Sequence, residues 1–174
     1  MKIENIITDR LILRGFTRED AGFAISIWND PEMGEYLADP ALEEEKIDPE
    51  YRKEIEGLGE DEECCYLISE DRQTGERIGT CSFIPSEEGK VYDIAYCVHK
   101  SHWRQGYATE MISGMVEYAR GQGAERITVK VDRENVASNG VLRKLGFRIA
   151  ADGKYKKRGT DRECPDYIYE LILL

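Results

Sequence analysis

The chain has 174 residues, 41% hydrophobic and 34% charged, with no low-complexity tract and no apolar run near membrane-spanning length. These figures predict one soluble domain over residues 1–174 with no membrane-spanning helix. A formal net charge of −11 argues against nucleic acid as the main ligand, because phosphate backbones are bound by clustered Lys and Arg.

Along the chain, Thr8 to Gly15 sets Leu11 and Leu13 against Ile12 and Arg14, the pattern of a short buried strand. Thr17-Arg-Glu-Asp20 matches a capping box, and Ala21, Ala24, Ile25 and Trp28 form a helical stripe ending near Asn29-Asp-Pro31. Ile47, Tyr51 and Ile55, spaced four apart among many acids, predict a thin amphipathic helix within 40–57, closed by Gly57 and Gly59 and covering a sheet edge. From Cys64 the period changes to two: CYLISE, RIGTCSFIP and VYDIAYCV, separated by turns at 71–75 and 87–89, predict three consecutive antiparallel strands. Gly106 to Arg120 carries Ala108, Met111, Ile112, Met115, Val116 and Ala119 on one helical face. Ile127, Val129 and Val131 then alternate as a strand, Asn135 can cap a helix reaching Leu145, and FRIAADGKY with DYIYELILL reads as a terminal hairpin. A helix joining strands 91–98 and 126–131 implies one parallel pair in an otherwise antiparallel sheet with helices on both faces.

The opening MKIENIITDR has no apolar signal core, which gives a cytoplasmic address by default. Cys64, Cys65, Cys81, Cys97 and Cys164 form an odd set with no CxxC pair and no His at ligand spacing, so they read as reduced buried thiols rather than a disulfide framework or a metal site. Charge is uneven. Residues 43–63 hold eleven acids and three bases, whereas 99–174 hold fourteen bases and ten acids. The acidic stretch reads either as a surface for a cationic partner or as a solvated helical face.

Two segments carry the chemistry. Trp103-Arg-Gln-Gly106-Tyr-Ala108-Thr109 lies between a strand and the strongest helix, where unpaired N–H groups and the positive dipole end suit an anion. It is neither GxxxxGK[ST] nor GxGxxG. The second, Asp132-Arg-Glu-Asn135-Val-Ala-Ser138-Asn139 through Leu145-Gly146-Phe147, sets Asn135 and Ser138 one turn apart at a helix start, so both segments can face one cleft. His99 and His102 flank the anion loop and read as surface residues or phosphate neighbours. Tyr36, Tyr66 and Tyr96 are either core or acceptor-pocket residues.

With TDRLILRGF, YDIAYCV, WRQGYATE and NxxSN followed by LRKLGF in that order, the chain resembles the GNAT acetyltransferase superfamily, and particularly its Rim-type branch. The resemblance spans nearly the whole chain and is weakest over 40–63. It implies an α/β (α+β) fold with a mixed, mostly antiparallel sheet of about seven strands, and a V-shaped opening between strands 91–98 and 126–131. It also implies acetyl-CoA as co-substrate, no metal, and an amine acceptor that is a peptide or protein N-terminus or a small cationic amine. Pantetheine would pair along Cys97 and Val98, and the pyrophosphate would sit on the backbone of Arg104, Gln105, Gly106, Tyr107, Ala108 and Thr109. Asn135 would hold the pantetheine arm, Asn139 would add a cofactor contact, and a homodimer is compatible with the family. Trp103 departs from the Gln or Arg that often stands three residues before the glycine. Leu142 stands where many members carry the tyrosine that protonates the leaving thiolate. The resemblance therefore assigns the thiolate to Ser138 and the base role, through water, to Asp93. A CoA-binding sensor without turnover is the alternative that Leu142 leaves open.

Overall fold

In the computed structural model, residues 1–39 and 41–174 are described; Pro40, at the start of the segment expected to be helical, lies outside them. The chain forms strands β1 (Ile6–Ile7) and β2 (Leu11–Gly15), helices α1 (Ala21–Trp28) and α2 (Pro49–Glu56), and strands β3 (Cys65–Asp71), β4 (Arg77–Ser86) and β5 (Val91–Val98). Helix α3 (Tyr107–Gly121), strand β6 (Arg126–Asp132), helix α4 (Val136–Lys144) and strands β7 (Arg148–Lys156) and β8 (Glu163–Ile172) follow. One sheet runs β1-β2-β3-β4-β5-β6-β8-β7, antiparallel at every step except β5–β6. The eighth strand beyond the expected seven is β1, whose two residues pair with Ile12 and Leu13 and are too short to show a period.

Register sorts the side chains. Leu13, Leu67, Phe83, Ile94, Ile127, Val129 and Tyr169 share one face and pack against Met111, Ile112 and Met115 of α3 and Leu142 of α4. Each such buried aliphatic is worth about 1.5–3 kcal/mol. The other face presents Ile68 and Tyr66, covered by α1 and by Ile55, Tyr51 and Ile47. The helices thus do flank the sheet on both sides. The acidic segment covers this second face rather than an edge, because its one apolar stripe meets α1 as well as β3. Its helix is also shorter than expected: the Asp48 side chain accepts from Tyr51 N–H at 2.9 Å and Pro49 takes the first helical position, so Ile47 stays outside.

The Thr17–Asp20 signal opens a 3-10 turn (Arg18–Asp20) that leads into α1. Asp20 is fully buried and accepts from Thr17 N–H (2.8 Å), from Arg14 Nη1 and Nη2 (2.8 and 2.9 Å) and from Arg77 Nε (2.7 Å). Burial alone would push this carboxyl up; the two guanidinium groups more than offset it and hold it well below the usual carboxylate range.

Candidate active site

Strands β5 and β6 pair only at Val91–Arg126, Tyr92–Ile127 and Asp93–Thr128. Beyond that point β5 stays on β4 as far as Val98, and β6 stays on β8 as far as Asp132, so the two strands diverge into a fork. Asp93 stands in the last paired position and accepts from Thr128 Oγ1 at 2.7 Å. Cys97 and Val98 line the β5 arm; burial pushes the Cys97 thiol to about 11, so it stays protonated at neutral pH.

At the open end of the fork the chain turns into α3. Arg104 (φ 60°) and Gly106 (φ 80°) both take left-handed conformations, which glycine adopts readily and arginine does not. Gly106 precedes α3 with no side-chain cap, and the backbone N–H groups from Arg104 to Thr109 donate to no acceptor among the described residues. Unpartnered donors at a helix start form an anion cradle.

Four contacts hold the cradle. Trp103 Nε1 donates to the Val98 carbonyl at 2.7 Å, which gives the departure at Trp103 a structural task and engages one β5 carbonyl expected to be open to pantetheine. Arg10 Nη1 donates to the Gln105 carbonyl at 2.9 Å, while its Nε reaches Glu110 at 2.8 Å. Its guanidinium also lies 4.1 Å over the Tyr107 ring. His99 stacks on Phe23 and bonds Ser101, while His102 meets Glu76 at 3.2 Å, so both serve as local braces.

Helix α4 starts beside the β6 arm. Asn135 Oδ1 accepts from Ser138 N–H at 3.3 Å, so the cap uses its carbonyl oxygen, and its Nδ2 has no acceptor among the described residues. Ser138 Oγ bonds the Tyr96 hydroxyl across the fork. Asn139 requires a correction. It is only 6% exposed, donates to the Asp132 and Asn135 carbonyls at 3.0 and 2.8 Å, and accepts from Tyr169 at 2.5 Å. With these bonds made it staples the turn that carries Asn135 and Ser138, and has no group to offer a cofactor.

Residues 10–148 match the acetyltransferase (GNAT) domain family. The chain belongs to the GNAT acetyltransferases. It is 30% identical to the uncharacterized N-acetyltransferase p20 of Bacillus licheniformis over 98% of this chain and 97% of that one. It is 32% identical to the uncharacterized N-acetyltransferase YoaA of Bacillus subtilis over 81% of each chain. Among solved structures, a Vibrio cholerae spermidine N-acetyltransferase in complex with CoA and spermine superposes with a TM-score of 0.78 at 18% identity, covering 95% of this chain and 97% of that one. A Salmonella typhimurium acetyltransferase that modifies the N-terminal serine of ribosomal protein L7/L12 gives 0.77 at 21%, covering 98% and 100%. At these identities the likeness fixes the fold.

For a GNAT enzyme the Tyr96–Ser138 contact is informative. Leu142 is completely buried in the core, so nothing polar can come from that position. The phenol nearest Ser138 arrives instead from β5, 42 residues earlier. Sequence reasoning grouped Tyr96 with core or pocket tyrosines and missed this pairing. Arg10 was missed too, although its place in TDRLILRG was noted; nothing local in the sequence ties it to a loop 95 residues away.

Proposed function

We propose that this acetyltransferase moves an acetyl group from acetyl-CoA to a primary amine by direct transfer, in the manner of the Rim-type branch. The acceptor would be a peptide or protein N-terminal amine or a small cationic amine. The run of unpartnered N–H groups from Arg104 to Thr109, beside the β5–β6 fork, carries this reading. Several donors there can share a pyrophosphate, each helix-terminus contact being worth about 0.3–1 kcal/mol. Pantetheine would lie between the arms of the fork, along Cys97 and Val98, with Asn135 Nδ2 as its side-chain donor. The thioester supplies an activated acetyl carbonyl at that depth.

The chain's own groups then have limited tasks. Backbone N–H groups of the β5 arm stabilise the developing oxyanion. Asp93, acting through water, takes the proton that the attacking nitrogen loses; the sulfur departs as the thiolate and then takes up that proton through solvent, to be released as the thiol. Ser138 and Tyr96 face that sulfur. Burial pushes the Tyr96 phenol up to about 12, well above an ordinary thiol near 8.5. The pair therefore stabilises the thiolate by hydrogen bonding rather than by surrendering a proton. An acceptor α-amine of pKa about 7.7–8.0 is roughly 10% neutral at pH 7, whereas a lysine near 10.4 is well under 1% neutral, so an α-amine tolerates this sparse equipment.

The test is free-thiol release from acetyl-CoA across N-terminal peptides, polyamines and aminoglycosides, with Asn135→Ala and Asp93→Asn alongside. Turnover on one class, lost in Asp93→Asn, supports the reading. Acetyl-CoA binding with no turnover on any amine overturns it in favour of a sensor.

A further inference from the structure

Asp132 at the end of β6 and Asp166 on β8 are cross-strand partners on the sheet face that carries Asp93 and Thr128. They are 7% and 5% exposed. Asp132 Oδ1 accepts from Glu134 N–H at 2.8 Å and its Oδ2 from the Tyr155 hydroxyl at 2.5 Å. Asp166 Oδ1 is buried with no hydrogen-bond partner among the described residues, and it lies 2.4 Å from where a Cβ on Gly153 would stand. Neither carboxylate has a salt bridge among the described residues. The neighbouring bases are engaged or turned to solvent: Arg133 Nη2 pairs with Asp152 at 3.3 Å, Arg133 Nε donates to the Asp166 backbone carbonyl at 3.2 Å, and Lys130 is exposed.

Two buried carboxylates in cross-strand register with no salt bridge are expensive, and a cation placed between them offsets that cost. Burial pushes the Asp166 carboxyl up, Lys130 and Arg133 pull it back, and Asp132 adds to the rise. The pair stands four residues beyond Thr128 along β6, roughly 13 Å from the closed end of the fork at strand rise, on the face opposite α3. The Tyr155 hydroxyl also reaches the Tyr36 carbonyl at 3.5 Å, so the segment after α1 borders the same spot.

Building on the proposed amine-acetylating function, we infer that Asp132 and Asp166 form a cation subsite that receives a positively charged nitrogen of the acceptor other than the one acetylated. The acceptor class narrows to amines carrying a second ammonium or guanidinium group, whether in a diamine or in a basic side chain beside a peptide N-terminus. The attacking nitrogen must be neutral, so the buried charge is of use only to the spectator cation.

The test is calorimetric binding of 1,4-diaminobutane to the CoA-loaded protein, which needs no turnover. Asp166→Asn and Asp132→Asn each keep side-chain shape, and a thermal scan verifies that both fold. The expected result is at least a tenfold rise in Kd for the diamine in both variants, with acetyl-CoA affinity unchanged and no change in the surface control Glu54→Gln. Kd values within twofold of wild type in both variants for the diamine and for Ser-Lys-Ala alike overturn the subsite. An equal weakening in Glu54→Gln also overturns it, because the attraction is then a property of the net charge. Parallel titrations with Ser-Lys-Ala and Ser-Ala-Ala identify the source. Dependence on the carboxylates for Ser-Lys-Ala but not for the diamine assigns the subsite to a peptide side chain. If the diamine binds through the carboxylates yet no amine releases thiol from acetyl-CoA, the subsite stands and the acetylation reading fails.

Discussion

Tyr96 and Ser138 meet over the fork although they belong to different elements, and in the proposed reaction they take the place of the polar group that Leu142 cannot supply. Losing a hydrogen bond to a charged atom costs about 1.5–3 kcal/mol, so Tyr96→Phe should lower kcat roughly 10–100-fold while the KM for acetyl-CoA stays put. Steady-state kinetics checks this, and an unaltered kcat removes Tyr96 from the chemistry. At Gly106 the backbone demands φ 80°, where an alanine costs about 1–2 kcal/mol. Gly106→Ala should therefore raise the KM for acetyl-CoA with little change in kcat, because the strain falls on the loop proposed to hold the anion. Sequence pattern located Gly106, Asn135 and Ser138 through their positions at helix starts. It could not separate Asn135 from Asn139, because Tyr169 and the Asp132 carbonyl, which consume Asn139, become its neighbours only through packing.

Elements were legible where their period was long and their burial one-sided. Met111, Ile112, Met115 and Val116 defined α3, and the alternation in β3 to β5 gave three strands in register. The acidic segment was less legible, since Asp48-Pro49 is a helix start that three apolar residues spaced by four overran. The join between α1 and the sheet depends on a charge network. Asp20→Asn would leave Arg14 facing a neutral partner in a buried setting, and breaking such a pair costs about 3–5 kcal/mol. Because the folded pKa of Asp20 is depressed, its stabilisation is complete above the ordinary carboxylate range and is lost as pH falls below about 4. Urea unfolding at pH 7 and at pH 3 should show wild type losing stability on acidification and Asp20→Asn losing less. Arg10 braces a second join, and Arg10→Ala should raise the acetyl-CoA KM at unchanged kcat, by freeing the Gln105 carbonyl and the Tyr107 ring together.

For the whole molecule, the single parallel step in the sheet followed from a helix lying between two strands, whereas the pairing of Asp132 with Asp166 did not, because it depends on β8 inserting between β6 and β7. Asp166 has the opposite sign to Asp20. Its raised carboxyl contributes favourably only at low pH, and the contribution is lost as pH rises. Asp166→Asn should thus stabilise the ligand-free protein at pH 7 by about 1–3 kcal/mol and by little at pH 4, measured by calorimetry. The three-pair contact between β5 and β6 has a further consequence for how the molecule breathes. A sheet normally frays from its rims, but here two inner strands part company in the middle, so water can reach main-chain amides at the centre of the fold. Deuterium uptake should accordingly be faster at 94–98 and 129–132 than in β3 or β4, and saturating acetyl-CoA should slow it there first. At a hundred times its Kd, the same ligand should add about 2.7 kcal/mol of resistance to unfolding, by closing a seam that the polypeptide leaves open to its substrate.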